Sequence, residues 1–275
     1  MSAPAPLRLR PLEIGDVLDE TFRIYRRHFW LFAGISMIMA IPAAALTAFV
    51  YGLLVAFLQL ANTAQAPDAG GLVTALLVYM VGYLFLLLLT PFTYGTVTYA
   101  VCESALGRPV SIWGALRAVL RRYFAMLGYF VLIAVMALFF CLFPLWIWIQ
   151  VGWLLVLPVM FIEKVGLGGA MGRSWHLVQG RWWRTFLIIF LIGLLYTVVQ
   201  VSLAGFLGLA NGLLTIVVSQ YVALALGQGV SIVVSSLAIP VVQIAIVLVY
   251  FDLRVRREAL DLFQLAQRVS ATQPA

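Results

Sequence analysis

Lysine is all but missing from this chain of 275 residues, in which Lys164 stands alone beside sixteen arginines. Acidic residues are also few, ten against seventeen basic ones, and charged types together make up 10% of the composition. A soluble domain carries about 25% charged and 45 to 50% apolar residues, whereas 64% of this chain is apolar. A lipid bilayer is the solvent that such a surface requires, so a soluble globular class is excluded.

The scarce charge is also unevenly spread. Lysine and arginine are missing from His28 to Gly107, from Tyr123 to Glu163 and from Thr185 to Leu253. One crossing of a hydrocarbon core of about 30 Å takes roughly 20 apolar residues, so each block holds two spans. In the shortest block, Phe143, Pro144 and Leu145 mark the expected turn. The spans are predicted near 29–55, 72–101, 123–141, 145–162, 185–207 and 229–250. Residues 211–227 form a further apolar stretch. A full seventh crossing there would move Arg254, Arg256 and Arg257 to the other side, so a re-entrant or outer interfacial helix, or an extension of the last span, is expected instead.

All basic residues fall into four clusters, Arg8 to Arg27, Arg108 to Arg122, Lys164 to Arg184 and Arg254 to Arg268. Basic segments stay on the cytoplasmic side of a membrane, which places all four clusters and both termini there and requires an even number of crossings. The start has about thirty mixed polar residues before the first apolar block, unlike a cleavable signal peptide. The net charge of +7 describes arginines facing anionic inner-leaflet lipid, each contributing about 1 kcal/mol of attraction; nucleic acid is not needed to explain it. The two cysteines, Cys102 and Cys141, fall at opposite membrane faces and cannot pair within one chain.

Three amphipathic segments recur beside the clusters. Ile14, Val17, Leu18, Phe22 and Tyr25 share a face near 13–27. Ser111, a plausible N-cap, opens 111–122 with Ile112, Leu116, Val119 and Tyr123 in a stripe, and 167–180 repeats the pattern with Leu167, Met171, Trp175 and Val178. Each ends in a basic and aromatic junction that leads into a hairpin. The predicted fold is an all-α integral membrane protein of about six transmembrane helices, arranged as three hairpins that each follow a cytoplasmic amphipathic interfacial helix. It forms one domain over 12–262 between tails 1–11 and 263–275.

Chemistry-bearing patterns are sparse. Ionisable residues inside a membrane point to ion or substrate paths, yet Glu103, Glu163 and Asp252 sit at helix ends and Asp68 in an outer loop. Gln200 and Gln243 are the deepest polar groups, and each is expected to hydrogen-bond a neighbouring helix. His28 and His176 stand beside aromatic and basic residues with no metal-ligand spacing. The run Gly166, Gly168, Gly169, Gly172 lacks the ending of a phosphate loop and reads as a flexible junction. Gly227, Ser231 and Ser235 place a small residue every fourth position, a helix-packing stripe, and the tryptophans gather near predicted interfaces. No catalytic, cofactor or metal constellation emerges. The candidate contact residues are instead a basic collar for lipid headgroups: Arg26, Arg27, Arg117, Arg121, Arg122, Arg181, Arg184, Arg254, Arg256 and Arg257.

Two terminal motifs complete the reading. Pro11, Leu12, Ile14, Gly15, Leu18, Asp19, Phe22, Ile24, Tyr25, Arg26 and Phe29 open the chain's ordered part. Tyr250, Phe251, Asp252, Leu253, Arg254, Arg256, Arg257, Glu258 and Asp261 close it, with Asp252/Arg256, Arg254/Glu258 and Arg257/Asp261 at helical pair spacing. Together they resemble the bacterial membrane domain found alone or fused to glycerophosphoryl diester phosphodiesterases. The resemblance implies a six-helix bacterial inner-membrane domain; the phosphodiesterase barrel is not among these residues, so hydrolysis is not carried over. The expected role is a non-enzymatic accessory or scaffold protein that engages anionic phospholipid, in glycerophospholipid or envelope metabolism. The alternative is a membrane subunit of a lipid or small-amphiphile transporter. Expected partners are membrane phospholipid, another membrane or cytoplasmic protein, and further copies of the chain.

Overall fold

A computed structural model describes residues 13–63, 69–138 and 143–272. Ten helices follow in order: α1 (Ile14–Arg27), α2 (Phe29–Thr63), α3 (Ala69–Ala105), α4 (Ile112–Ala137), α5 (Phe143–Gly152), α6 (Val156–Ile162), α7 (Leu167–Val178), α8 (Trp182–Leu214), α9 (Gln220–Ser236) and α10 (Ile239–Thr272). Among the described residues, six helical stretches are long and apolar enough to cross a membrane: Phe29–Val55, Val73–Ala105, Ile112–Ala137, Phe143–Ile162, Trp182–Leu214 and Val222–Glu258. The chain is therefore a multi-pass membrane protein. Residues 1–11, Asp68, Cys141 and the Arg257/Asp261 pairing lie outside the described residues or side chains.

Several boundaries differ from those the sequence suggests. Segment 111–122 is not a separate interfacial helix. It is the first part of α4, which runs without a break to Ala137 and is capped by Ser111, whose Oγ accepts from Gly114 N at 3.0 Å. Residues 263–272 continue α10 as helix rather than forming a tail. Phe143 and Pro144 begin α5 instead of turning the chain, because proline's fixed φ suits the first helical turn. The stretch 211–227 is the end of α8, a turn at Thr215 to Ser219 and the start of α9, not a separate crossing.

Two of the six stretches are broken. Pro158 has no N–H and is tolerated in a first helical turn, so α6 starts anew at Val156 after α5 stops at Gly152. Pro240 sits likewise in the first turn of α10, and α9 ends at Ser236. A break inside a membrane protein frees backbone groups that lipid cannot satisfy. Ser174 of α7 resolves the first: its Oγ donates to Gly152 O at 2.7 Å and accepts from Leu155 N at 3.1 Å. Tyr25 of α1 resolves the second by donating to Leu237 O at 2.7 Å, while Val241 N turns to Ala238 O. One turn before Pro91, which lies inside α3, Tyr123 of α4 donates to Leu88 O at 3.0 Å. α1 and α7 thus each insert one hydroxyl into a break in a membrane stretch.

Close approaches use small residues, as helix packing in lipid favours. A Cβ at Gly229 of α9 would lie 3.3 Å from Ala48 Cβ of α2, and one at Gly52 would lie 3.4 Å from Ala225 Cβ. The face that meets α2 is therefore offset by two residues from Gly227, Ser231 and Ser235. Gly227 instead abuts Asn211 of α8, and Ser235 borders a cleft described below. On α7 the buried face is Ala170, Ser174, Leu177 and Val178, with Leu167 and Met171 packed at its flank. Of the expected stripe only Val178 is fully buried, and Ala170, Ser174 and Leu177 join it on the face that packs inward. Gly152 shows the limit of this contact, since a Cβ there would meet the Trp175 ring at 2.3 Å.

Candidate functional site: the charged end of the bundle

Charged residues of α4, α6, α7, α8 and α10 converge at one end. Glu163, just past α6, accepts from Arg173 Nε of α7 at 3.0 Å and from Tyr250 Oη of α10 at 3.0 Å. Arg173 also reaches Glu258 at 2.9 Å, Glu258 accepts from Arg254 at 2.9 Å, and Arg254 returns to Tyr250 Oη at 3.2 Å. The result is a closed ring across three elements. Beside it, Asp252 has a fully buried side chain and accepts from Arg184 at 2.5 Å and Arg256 at 2.9 Å. Arg257 donates to Gln179 O at 2.8 Å and lies 3.3 Å from His176 Nε2. The two pairings expected along α10, Asp252/Arg256 and Arg254/Glu258, are both present.

The collar residues therefore divide into two groups. Arg122, Arg184, Arg254, Arg256 and Arg257 spend guanidinium N–H groups on the protein itself. Arg26, Arg27, Arg117 and Arg121 are exposed, and no acceptor holds them among the described residues. Arg181 is half-buried, and its burial together with Arg256 and Arg257 pushes its pKa below the usual arginine range. The sequence places Glu163 at a helix end and Tyr250 in the closing motif but joins neither to Arg173, which it does not single out. Glu163 carries a signal, as one of three acids, with Glu103 and Asp252, that close apolar runs.

Next to the ring lies a cavity of about 860 Å³ between α3, α4 and the α6–α7 connection. Arg108, Arg121, Arg122 and Lys164 line it, with Glu103 as the one acid, and Phe124, Phe161 and Leu106 supply apolar wall. Arg108 reaches Glu103 at 3.4 Å, and Arg122 donates to Val165 O at 2.7 Å. The geometry offers guanidinium and ammonium donors in a pocket with a greasy side, which suits an anionic headgroup. A cysteine, Cys102, also borders it but is 1% exposed. Among the described residues no group of three or more His, Cys, Asp or Glu could hold a metal ion.

Within the membrane, Gln243 of α10 pairs with Thr98 Oγ1 of α3 at 2.7 Å, an interhelical bond as expected. Gln200 does not do the same: its Nε2 donates to Tyr196 of its own helix at 2.8 Å. A second, smaller cleft of about 250 Å³ sits between α2, α3, α8 and α9, with Thr90, Thr93, Tyr94, Tyr196 and Ser235 on its wall. No protein family, no curated protein and no solved structure matches the chain.

Proposed function

We propose that this protein is a non-enzymatic accessory or scaffold component of a bacterial inner membrane, and that its charged end faces the cytoplasm and engages anionic phospholipid. The observation that carries this reading is the division among the arginines. Arg122, Arg184 and Arg257 tie separate elements together and Arg254 and Arg256 pair along α10, while Arg26, Arg27, Arg117 and Arg121 are exposed with no acceptor among the described residues. Guanidinium groups at that level of a membrane protein meet lipid phosphates, with which they form paired hydrogen bonds. In this reading α1 and α7 lie at the headgroup level, the six stretches form three hairpins, and both termini are cytoplasmic. The terminal motifs, which resemble the membrane domain associated with glycerophosphoryl diester phosphodiesterases, support a place in glycerophospholipid or envelope metabolism.

The test is lipid retention in nanodiscs that mix phosphatidylcholine with phosphatidylglycerol or cardiolipin. Replacing Arg26, Arg27, Arg117 and Arg121 together with Gln is expected to reduce the anionic lipid held around the protein and to leave folding intact. Indifference to the quadruple change would end the proposal. Labelling from the periplasmic side that modified a cysteine placed at Arg117 would overturn the orientation.

The hydroxyl-lined cleft among α2, α3, α8 and α9 favours a second reading, a membrane subunit of a transporter for a lipid or small amphiphile. Filling it with Ser235→Phe blocks export in that case and leaves anionic lipid retention unchanged in the first.

A further inference from the structure

We infer that the cavity between α3, α4 and the α6–α7 connection is a discrete site for one amphiphile with a phosphomonoester head, which shares Arg121 and Arg122 with the collar but not Arg26, Arg27 or Arg117. The inference rests on the lipid-engaging reading above and assigns it a specific ligand class. Its volume of about 860 Å³ falls in the range of ligand pockets, about 300 to 1,000 Å³. Four cations and one acid line it, a formal balance of four minus one, or +3. Arg108 is engaged with Glu103 and Arg122 gives one N–H to Val165 O, which leaves Arg121, Lys164 and the remaining N–H groups of Arg122 to face a ligand. A phosphodiester carries one negative charge and leaves most of that field uncompensated. A phosphomonoester carries close to two at neutral pH and accepts several charge-assisted hydrogen bonds at once.

The wall shows that the ligand has a hydrocarbon part. Phe124 borders the cavity and is also 82% exposed on the outside of α4, so the pocket opens sideways along an apolar surface as well as toward the basic residues. Phe161 and Leu106 continue that surface. A head among the cations and a chain along Phe124 satisfy both walls together.

Lys164 supplies an independent sign that this position is built for binding. It follows α6 in the left-handed backbone region, φ 57°, which costs a residue with a Cβ and not a glycine. The other two left-handed positions of the described residues carry glycine, Gly107 after α3 and Gly180 after α7. The one lysine of the chain is thus held in a strained conformation at the cavity rim, and such strain concentrates at functional sites.

The phosphomonoester could arrive as a membrane lipid or as a soluble ester, and the experiment separates them. Full-length protein in phosphatidylcholine nanodiscs is titrated with phosphatidate, with phosphatidylglycerol, with a short-chain alkyl phosphate and with inorganic phosphate. Bound lipid is counted by native mass spectrometry, and thermal midpoints are recorded. One phosphatidate per chain is expected to persist where phosphatidylglycerol dissociates. Arg121→Gln and Lys164→Gln should each weaken it about tenfold, the scale of one charge-assisted hydrogen bond. Arg26→Gln with Arg27→Gln should leave that single equivalent in place while thinning the general anionic shell. Competition by the alkyl phosphate, but not by inorganic phosphate, confirms that both walls are used. Lys164→Gly removes the strain with the cation, so it should melt at higher temperature and bind more weakly, an outcome that a folding defect cannot mimic. Equal retention of phosphatidylglycerol and phosphatidate, or retention unaffected by Arg121→Gln and Lys164→Gln, would overturn the site while leaving the collar standing. Loss of the collar effect alone would overturn the broader reading while leaving the site.

Discussion

The two broken membrane stretches differ from the four continuous ones in where they lie. In Phe143–Ile162 and in Val222–Glu258, 44% of the most apolar eighteen residues are buried, against 11% in the stretches of α2, α3 and α8 and 17% in that of α4. Interrupted backbone cannot face lipid, because hydrocarbon offers its polar groups no partner; it is tolerated only inside protein. The broken helices have therefore become the core, and the unbroken ones the wrapping. Within the core, partners come from outside the stretch itself: Ser174 for the α5–α6 break and Tyr25 for the α9–α10 break. At its end, Asp252 ties α10 to α8 through Arg184.

This contrast can be broken at graded strength. The largest effect is expected for Asp252→Ala, which strands Arg184 and Arg256 in a half-buried setting and should cost about 3 to 5 kcal/mol. Thermal unfolding in nanodiscs measures it, and a loss below about 1 kcal/mol would show that the pair is no more than a surface contact. Ser174→Ala leaves both Gly152 O and Leu155 N–H unsatisfied, at about 1 to 3 kcal/mol for each buried group. Ser202→Ala on α8 is its control, since that exposed hydroxyl serves only Val198 O of its own turn, and equal losses in the two variants would erase the distinction between core and wrapping. Tyr25→Phe removes one donor from Leu237 O and should lower stability by about 1 kcal/mol, with faster amide exchange at the start of α10. Leu194→Ala, on the lipid-facing side of α8 where Leu194 is 53% exposed, should stay within about 0.5 kcal/mol.

The smallest expected effect is a pH slope from His28, between α1 and α2. Burial and then the neighbouring Arg27 lower its pKa from the ordinary value of 6.5, so the folded protein prefers the neutral ring. The unfolded chain takes up the proton first as pH falls. The His28 contribution is thus complete above about pH 6.5 and is lost as pH falls through the lowered folded value. His28→Gln should flatten the stability profile in that window, and an unchanged slope would assign it to other groups.

Much of the architecture was legible from residue type and spacing. Three lysine- and arginine-free blocks are enough to place six apolar stretches, Ser111 announces the start of α4, and the spacings of Asp252/Arg256 and Arg254/Glu258 announce ion pairs along one helix. The breaks were half legible: Pro158 and Pro240 stand inside apolar runs, but nothing local says that Ser174 and Tyr25 will answer them. The site was less legible still. Arg121 and Arg122 were recognisable as basic residues beside a membrane, whereas Arg108 and Lys164 join them only because α3, α4 and the α6–α7 connection come together. Glu163, Arg173 and Tyr250 form their ring across comparable sequence distances.

Apolar length and the placement of charge determined, without any coordinates, that the chain lives in a membrane and roughly where it crosses, because transfer into hydrocarbon depends on composition summed over a segment. Which segments face lipid and which face protein was decided only by tertiary structure. Lipid tails and leucine side chains are equally apolar, so hydropathy cannot tell a core helix from an exposed one. What separates them is the satisfaction of a few backbone groups and buried ions, and their partners lie far away in sequence.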